Sequence, residues 1–468
     1  MKRVIIVGAG ISGLALAYRL ARLLRSAEVT VLEQSHRPGG TMWTERREGF
    51  QIEVGPNGFL DNKPSTLALC RDLGLSDRLL PASEAAERNR YLFLAGKLRR
   101  LPNSLRSFLL SDLLSWHGKL SLLLERFRPK RIELADESID AFVRRRAGPE
   151  AAQVLADALV TGIHAGDPTL LSVQAAFPRL ALLEEQYGSV LKGMASTAKQ
   201  RRAEAVARGE AYRRTGKMWS FRPGLCLLVH ALCEHVPCQP ILNVKVQRIE
   251  RSTDPSTPNA WTVHGEGEDR WIADAVALTC PAYQQAAMLA DLDSDLAGAT
   301  DKIAYNRVAV VALGYRRPDV PVDLDGFGFI VPQRTRRDIL GVQWCSSIFP
   351  DRAPPGTVLL RAMCGGWNRP EIVDWEDARL LKAVMAELRA AMGIEVAPLF
   401  HHIIRWKRAI PQYHLGHRER VAWIEERLAR HPGLFVGGNA YHGVSVNDCT
   451  EQAEVLAARL QRYLTRPY

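Results

Sequence analysis

Three glycines near the start of the 468-residue chain have the spacing Gly8-x-Gly10-x-x-Gly13. In this pattern the first glycine permits a tight turn, the second lets the backbone approach a pyrophosphate, and the third lets a helix pack closely on a sheet. Glu33 follows twenty residues after Gly13, at the distance where an acid accepts hydrogen bonds from a ribose hydroxyl. Together these residues predict a dinucleotide site.

The segments around these residues match a strand–helix–strand unit. Val4 to Val7 and Val29 to Leu32 are continuous apolar runs, as expected for strands that are buried on both faces. An apolar helical pattern from Leu14 to Leu24 lies between them. The pair Lys2 and Arg3 before an apolar run also fits a secretory leader, but a leader needs neither spaced glycines nor a second strand. We therefore predict a nucleotide-binding unit whose helix N-terminus faces the phosphates.

Composition narrows the class of protein. The 62 Lys and Arg residues against 51 Asp and Glu give a net charge of +11, which favours anionic partners. The basic groups are short, such as Arg99-Arg100 and Arg144-Arg145-Arg146, so we interpret them as solvated surface and expect no nucleic-acid binding. Eight cysteines without a CxxC pair indicate reduced thiols and no metal site. No apolar stretch approaches the roughly 18–20 residues that span a bilayer.

Two more glycine turns and a late strand extend the predicted site. Gly39-Gly40-Thr41 follows Glu33, and Gly55-Pro56-Asn57-Gly58 comes after it. Near the other end, 433–439 is predicted as a strand, and a helix is predicted to begin at Asn447 or Asp448, either of which is a good N-cap. These turns resemble those of the two-dinucleotide-domain flavoproteins of the amine oxidase and phytoene desaturase superfamily, which implies FAD.

Longer stretches give a more specific resemblance. They are GPNGF at 55–59, NRYLF at 89–93, TGIHAGDP at 161–168, GFGFIVP at 326–332, IPQYHLGH at 410–417 and GVSVNDC at 443–449. In the same order and with similar spacing, the chain is similar from end to end to the family of oxygen-dependent protoporphyrinogen IX oxidases.

The resemblance implies both a fold and a reaction. The fold class is α/β and α+β, with a Rossmann-type FAD domain at 1–80, 213–290 and 426–468. A mixed-sheet substrate domain lies at 81–95 and 291–425, and a helical, membrane-facing domain lies at 96–212. The reaction removes six electrons from protoporphyrinogen IX in three rounds, with molecular oxygen as acceptor and hydrogen peroxide as product, in haem biosynthesis. The flavin itself carries this chemistry, so no catalytic side chain is expected.

The same resemblance assigns site residues. The expected FAD contacts are Gly8, Ala9, Gly10, Ile11, Ser12, Gly13, Glu33, Gly40, Thr41, Gly55, Pro56, Asn57, Gly58, Val246, Asn439, Val444, Ser445 and Val446. The expected substrate contacts are Arg90, Gly162, Gly166, Phe327, Ile330, Gln343 and Met363. A large apolar ring with carboxylates requires an apolar pocket with a fixed cation, and the planar fork of arginine suits a carboxylate.

Several positions depart from the family pattern. Asn57 stands where some members have arginine, so a second carboxylate clamp is not expected from that turn. Gln343 stands where the pocket is usually aliphatic, which bears on porphyrinogen preference, and Pro223 stands where a second glycine is usual. The histidines of the C-terminal region are expected to be structural rather than bases: His414, His417 and His442.

The middle of the chain is predicted to be helical. An apolar stripe from Leu105 to Trp116, followed by leucines among Lys and Arg at 119–131, suits contact with an acidic membrane surface. The same pattern also suits a helix packed on its own domain. A polar helix is predicted at 196–214, a strand that contains Val246 at 241–249 and a linker at 252–259. The expected location is cytoplasmic and peripheral on the membrane, with a tetrapyrrole substrate, handover to the next haem-pathway enzyme and a homodimer as partners.

Two alternatives remain open at this point. The first is oxidation of coproporphyrinogen III to coproporphyrin III by the same flavin chemistry, although Val446-Asn447-Asp448-Cys449 looks more like the protoporphyrinogen branch. The second is a non-enzymatic binding protein of the GDP-dissociation-inhibitor type, which shares this fold. An amine oxidase is less favoured, because the sequence has neither an aromatic cage nor a flavin-linking cysteine context.

Overall fold

The structure, a computed structural model, describes residues 1–131, 135–207, 216–253 and 260–465. Its centre is a parallel sheet of four strands in the order Leu434–Val436, Ala275–Leu278, Lys2–Val7 and Ala27–Leu32. Helix Ile11–Leu23 connects the last two strands, which confirms the predicted strand–helix–strand unit. Residues 4–7 of the first strand are all buried, as an apolar run in a covered parallel sheet should be.

Alternate residues of the central strand point into two different cores. Val4 and Ile6 belong to a core built with several helices, among them Ile11–Leu23, Cys226–His235 and Val446–Leu464. Ile5 and Val7 belong to the opposite core, with an antiparallel meander and three further helices: Arg248–Arg251, Trp261–His264, Arg270–Ala273, Ala282–Leu289, Ser294–Asp301 and His417–Leu428. The parallel sheet is therefore covered on both faces.

The segment at 241–249 differs from its prediction. A strand begins only at Arg248, and Ile241 makes a single parallel bridge to Leu32 beside the sheet edge. The backbone at Asn243 has a φ of 59°, which interrupts any extended run between these points. Val246 is nevertheless buried, in the same core as Leu32. Of the predicted linker, 254–259 lies outside the described residues.

A second, seven-stranded sheet comes from three separate parts of the chain. Its order is Phe400–Trp406, Val308–Arg316, Thr357–Gly365, Gly341–Trp344, Gly328–Ile330, Tyr91–Leu94 and Lys97–Arg100. Only the pair of Gly328–Ile330 with Tyr91–Leu94 is parallel. The sheet is therefore mixed, as expected for the substrate domain.

The two faces of this sheet have different partners. One face packs on helix Asp377–Met392 and forms a large apolar core. Strand register aligns a different set of side chains on the opposite face, which we call the site face: Leu92, Val310, Ile330, Gln343, Arg361 and Met363. A parallel sheet and a mixed sheet thus form the two halves of the molecule.

Smaller elements join these halves. The remaining strands form a hairpin, Thr44–Arg47 with Phe50–Glu53, and a small sheet of Phe59–Leu60, Met218–Phe221 and Leu79–Pro81. The remaining helices outside 96–212 are Ser65–Asp72, Ser76–Arg78, Glu84–Arg88, Arg317–Asp319, Gln333–Thr335, Cys345–Ile348 and Pro370–Asp374.

The domain limits stay a prediction, but the packing bears on two of them. Helix His417–Leu428 continues past the expected limit at 425, and helix Ser294–Asp301 follows the expected limit at 290. Both helices contribute to the core of the parallel sheet rather than to that of the seven-stranded sheet. We therefore infer that this part of the cofactor half extends beyond the predicted segments.

The middle segment is helical, as predicted. Its elements are Leu105–Leu110, Trp116–Leu123, Leu124–Phe127, Ile139–Ala147, Pro149–Ala151, Ala152–Ala156, Asp157–His164, Val173–Ala176, Pro178–Tyr187 and Val190–Ala207. The predicted polar helix thus begins earlier, at Val190, and residues 208–214 lie outside the described part of the chain. Among the described residues, no helix combines the length and apolar character needed to cross a membrane.

One expectation about this segment is wrong. Arg146 is not solvated surface, because its guanidinium is 1% exposed and pairs with the buried carboxylate of Glu125. Glu125 also accepts hydrogen bonds from the Ser189 hydroxyl and from backbone N–H groups of Val190 and Leu191. The ion pair therefore fixes the start of the long helix Val190–Ala207 against the preceding helices.

We expect Arg146→Met to lower the free energy of unfolding by about 3–5 kcal/mol, because Glu125 would become a buried charge without its partner. Arg144→Met is the matched control, since Arg144 is exposed and pairs with Asp140 one turn away on the same helix. That change should cost less than about 1 kcal/mol. Urea denaturation followed by far-UV circular dichroism measures both variants, and equal midpoints would contradict the prediction.

Candidate cofactor and substrate site

The N-terminal glycine turn is held by very close packing. Gly8 has a φ of 105°, and its N–H donates to the Leu32 carbonyl oxygen at 2.7 Å. A Cβ atom on Gly13 would overlap the Gly8 carbonyl oxygen and would lie 2.6 Å from Oγ1 of Thr279. Glycine is therefore required at both positions by the fold itself.

Gly10 is different, because it faces open space. Apart from its two chain neighbours, no described residue has an atom within 4 Å of a Cβ built on Gly10, and the nearest atom to a Cβ on Gly40 is the Gly10 Cα, at 3.6 Å. Helix Ile11–Leu23 starts here without a side-chain cap, so the first-turn N–H groups, including those of Ile11 and Ser12, have no intrahelical partner. An open cradle beside an uncapped helix N-terminus fits a pyrophosphate.

Glu33 lies beside this cradle with its carboxylate held in place. Oε2 accepts from the Ala9 N–H at 2.8 Å, and Oε1 accepts from the Ser35 N–H at 2.9 Å. The Glu33 carbonyl oxygen accepts from the N–H of Val244, which places the segment containing Val246 next to the acid. Each carboxylate oxygen keeps a lone pair for a ribose hydroxyl, so the predicted adenosine contacts come together.

The turn at 55–58 lies against the second glycine turn. A Cβ on Gly55 would overlap the Thr41 carbonyl oxygen, and one on Gly58 would lie 2.7 Å from the Trp219 carbonyl oxygen. Asn57 between them is buried, and its Nδ2 has no hydrogen-bond partner among the described residues. A buried amide that is left without an acceptor fits contact with an acceptor atom of a bound cofactor.

The C-terminal part of the site is organised by the Tyr413 hydroxyl. This hydroxyl donates to the Asn439 carbonyl oxygen at 2.6 Å and accepts from the Gly443 N–H at 2.8 Å. Tyr413 is buried, and burial raises its pKa well above the usual value, so the hydroxyl stays protonated. Tyr413 was not among the predicted site residues, although it lies in the segment 410–417, which is one of those that carry the family resemblance.

The N-cap of the last helix lies two residues before Asn447 and three before Asp448, the two predicted N-caps. Ser445 is the N-cap of Val446–Leu464, and it forms a capping box with Asp448. Asn447 cannot cap the helix because its amide donates to the Leu60 carbonyl oxygen, and Asp448 pairs with Lys63 at 2.6 Å. The predicted contacts Val444, Ser445 and Val446 therefore lie at a helix N-terminus beside the 58–66 segment, with the Ser445 hydroxyl already engaged.

Several predicted substrate residues share the site face of the seven-stranded sheet. Ile330 is aligned with Gly341, which is aligned with Met363 on the next strand. A Cβ on Gly162 would lie 2.7 Å from Cδ1 of Ile330, so the helix Asp157–His164 faces this row directly. Gly166 is further along the same segment, against Leu171 and Gln412.

Arg90 and Phe327 lie apart from this row. The Arg90 guanidinium stacks over the Phe327 ring at 5.3 Å, and among the described residues no carboxylate is within ion-pair distance of it. Phe327 packs in a small cluster with Met218, whose Cγ would lie 2.9 Å from a Cβ on Gly58. An exposed cation therefore stands beside an aromatic ring, on the side of the 55–58 turn.

Arg361 was missed by sequence analysis. Its guanidinium is buried, donating to Oε1 of Gln343 at 2.9 Å and to the Gly55 carbonyl oxygen at 2.5 Å. It thus connects the site face with the cofactor turn. The available signal was a single cation inside the apolar strand Thr357–Gly365.

The histidines have structural partners. His417 is buried, stacks on Tyr413 at 4.1 Å, and burial lowers its pKa to about 4. His414 packs edge-on against Trp367, and burial lowers its pKa as well. His442 is exposed and lies 3.6 Å from Glu425. These surroundings suit neutral, structural imidazoles at 414 and 417.

Comparisons with known proteins cover almost the whole chain. A family profile described as flavin containing amine oxidoreductase matches residues 11–461. "Protoporphyrinogen oxidase, chloroplastic" from Oryza sativa subsp. japonica is 33% identical, over 99% of this chain and 88% of that protein. "Coproporphyrinogen III oxidase" from Bacillus subtilis (strain 168) is 29% identical, over 99% of this chain and 98% of that protein. A solved structure named "Putative protoporphyrinogen oxidase", from Exiguobacterium sp. 255-15, has 26% identity and a TM-score of 0.83, and the match covers 98% of this chain and 99% of that chain.

We expect Gly10→Ala to weaken FAD binding by at least about tenfold, because the added methyl group would occupy the space that a pyrophosphate needs. The urea midpoint of the apoprotein should not change, since in the described part of the chain only the two neighbouring residues come within 4 Å of the added carbon. Gly298→Ala is the matched control, because its surroundings are equally open and it lies on helix Ser294–Asp301. Fluorescence titration of each apoprotein with FAD is the measurement, and equal dissociation constants would rule the prediction out.

Proposed function

Because the chain belongs to the flavin containing amine oxidoreductase family and has FAD as its cofactor, we propose that it oxidises protoporphyrinogen IX to protoporphyrin IX in haem biosynthesis. Oxygen is the acceptor, and hydrogen peroxide is released. Whole-chain relatives whose names state this activity support the proposal, including the rice protein at 33% identity. The observation in the structure that carries it is the largely apolar site face, which lies next to the cofactor turn. The same half of the molecule contains Arg90, which has no carboxylate partner among the described residues.

The chemistry of the substrate matches this combination. A porphyrinogen is a large apolar ring with carboxylate side chains, so it needs a broad apolar surface and a fixed cation. Ile330 and Met363 supply apolar surface on the two strands that flank Gly341. Arg90 supplies a permanent positive charge that has no competing carboxylate among the described residues.

The residues of the chain bind and orient the substrate rather than transfer its protons. When bound, FAD would supply the acceptor for a hydride from the ring carbon system and the route by which the electrons reach oxygen. In our proposal Arg90 binds a propionate, and the guanidinium stacks on the ring of Phe327. Gly162 lets helix Asp157–His164 lie directly on Ile330, so this helix closes one side of the apolar surface. Six electrons separate a porphyrinogen from a porphyrin, so three such rounds complete the conversion.

Anaerobic mixing of the holoprotein with protoporphyrinogen IX tests the proposal. The flavin absorption near 450 nm should bleach, and porphyrin fluorescence and hydrogen peroxide should appear after oxygen is admitted. A holoprotein whose flavin is not reduced by any porphyrinogen would overturn the proposal. A purified chain that holds no flavin after reconstitution would instead favour the non-enzymatic, GDP-dissociation-inhibitor-like alternative.

Coproporphyrinogen III is the second candidate substrate. Two relatives named coproporphyrinogen III oxidase, from Bacillus subtilis and Staphylococcus aureus, each match at 29% identity. The whole-chain matches to proteins of both names therefore support porphyrinogen oxidation in general, and the assay needs both substrates. A strong preference for the four-propionate porphyrinogen would replace the first candidate by the second.

We expect Arg90→Met to raise KM for protoporphyrinogen IX by at least about tenfold with little change in kcat, because a charge-assisted hydrogen bond contributes roughly 1.5–3 kcal/mol. Arg88→Met is the matched control, since Arg88 is exposed two residues away and pairs with Glu84. Steady-state porphyrin fluorescence measures both variants. A KM that rises equally in both would contradict the role of Arg90.

We also propose peripheral contact with an acidic membrane through an apolar surface at 105–127. Leu110, Trp116 and Phe127 are 78%, 70% and 67% exposed on this surface. Exposed Arg106 and Arg126 stand among them, which suits a bilayer with anionic headgroups.

The double change Trp116→Glu with Phe127→Glu should abolish flotation with vesicles that contain phosphatidylserine. Trp423→Glu is the control, because Trp423 is also exposed but lies on helix His417–Leu428. Each apolar side chain that enters the bilayer contributes roughly 1.5–3 kcal/mol to the free energy of membrane binding. Replacing two of them by carboxylates therefore removes a large part of that free energy. Flotation that is unchanged in the double variant would exclude this surface.

A further inference from the structure

The pair Arg361 and Gln343 on the site face has no role in the proposed function so far. Arg361 is 3% exposed, and among the described residues no carboxylate lies within ion-pair distance of it. Its Nε is buried and has no hydrogen-bond partner there. Burial lowers the pKa of this guanidinium. A cation in these surroundings is incompletely compensated, and a nearby anion would stabilise it.

Arg361 determines how the Gln343 amide is oriented. A guanidinium can only donate hydrogen bonds, so the atom of Gln343 that faces it must be the oxygen Oε1, at 2.9 Å. The amide nitrogen Nε2 is then directed away from Arg361. Gln343 is only half-buried, whereas Arg361 behind it is fully covered. The accessible part of this pair is therefore an NH₂ group with two donors.

The neighbours of Gln343 leave that NH₂ group open to a ligand. In the strand register, Gln343 is aligned with Gly328 on one side and with Arg361 on the other. Gly328 has no side chain that could cover the amide. Ile330 and Met363, in the adjacent row of the site face, are apolar and cannot accept a hydrogen bond. The amide is thus a polar point on an apolar surface.

We propose that Gln343 Nε2 donates to a carboxylate of the porphyrinogen, with Arg361 as the positioning residue that orients the amide and supplies positive charge behind it. The pair then raises the relative rate for a ring that carries a carboxylate at this edge over one that carries a vinyl group there. Coproporphyrinogen III has four propionates and protoporphyrinogen IX has two, so the pair improves acceptance of the four-carboxylate ring. This inference rests on the proposed porphyrinogen oxidation.

The test compares kcat/KM for the two porphyrinogens in the same holoenzyme. Gln343→Leu should lower the ratio of coproporphyrinogen III to protoporphyrinogen IX by at least about tenfold, because a site that hydrogen-bonds its substrate discriminates strongly. Gln343→Glu should lower the ratio further, since its carboxylate pairs with Arg361 and repels that of the substrate. Arg361→Met should lower it in the same direction, and Arg361→Lys should restore part of it.

Arg405→Met is the matched control for Arg361. Arg405 lies in the same sheet and donates to the carbonyl oxygens of Val373 and Trp375, away from the site face. It should leave the ratio unchanged, whatever its effect on stability. If neither porphyrinogen reduces the wild-type flavin, the proposed function fails. If both are oxidised and the ratio is the same in wild type, Gln343→Leu and Gln343→Glu, this inference alone is overturned.

Discussion

The rest of the structure depends on the contact between Gly8 and Gly13 in the N-terminal turn. Because Gly13 has no side chain, the helix that contains it lies directly on the Gly8 carbonyl oxygen. The Thr279 hydroxyl donates to the same oxygen at 3.0 Å from the end of the neighbouring strand. One carbonyl group thus joins two strands and a helix. With the helix fixed this way, its uncapped N-terminus opens on the space between Gly10 and Gly40, and Glu33 lies at its side.

In the seven-stranded sheet, successive side chains along a strand point to opposite faces, and only one of these faces is turned toward the cofactor half. Along Thr357–Gly365, Leu360 and Ala362 enter the core against helix Asp377–Met392, while Arg361 and Met363 face the other way. One strand therefore provides both the stability of this half and the surface offered to a substrate. The hydrogen bond from Arg361 to the Gly55 carbonyl oxygen makes the sheet continuous with the cofactor turn. In the proposed function, this hydrogen bond connects the substrate surface with the cofactor turn.

The sequence was most informative at positions where the backbone geometry of the fold accepts only one residue type. The spacing of Gly8, Gly10, Gly13 and Glu33 predicted the first unit correctly, because that unit requires glycine at fixed positions. Long-range contacts were not predictable in this way. Arg146 and Glu125 are 21 residues apart, and no local pattern indicates that they pair in the interior. Arg361 needed the strand register, since only the alignment with Gln343 shows which face its side chain occupies. The helix start at Ser445 was missed because Asn447 and Asp448 are equally good caps by type, and only their partners at Leu60 and Lys63 distinguish them.

The strand order of the parallel sheet has a consequence for synthesis of the chain. Lys2–Val7 is synthesised long before its neighbour Ala275–Leu278 and the edge strand Leu434–Val436. Pairing between such distant segments is intrinsically slow. During translation an apolar strand with unpaired backbone groups waits for its partners, and such exposed edges favour aggregation. The cofactor half is therefore completed only once residues 275–278 and 434–436 have been synthesised.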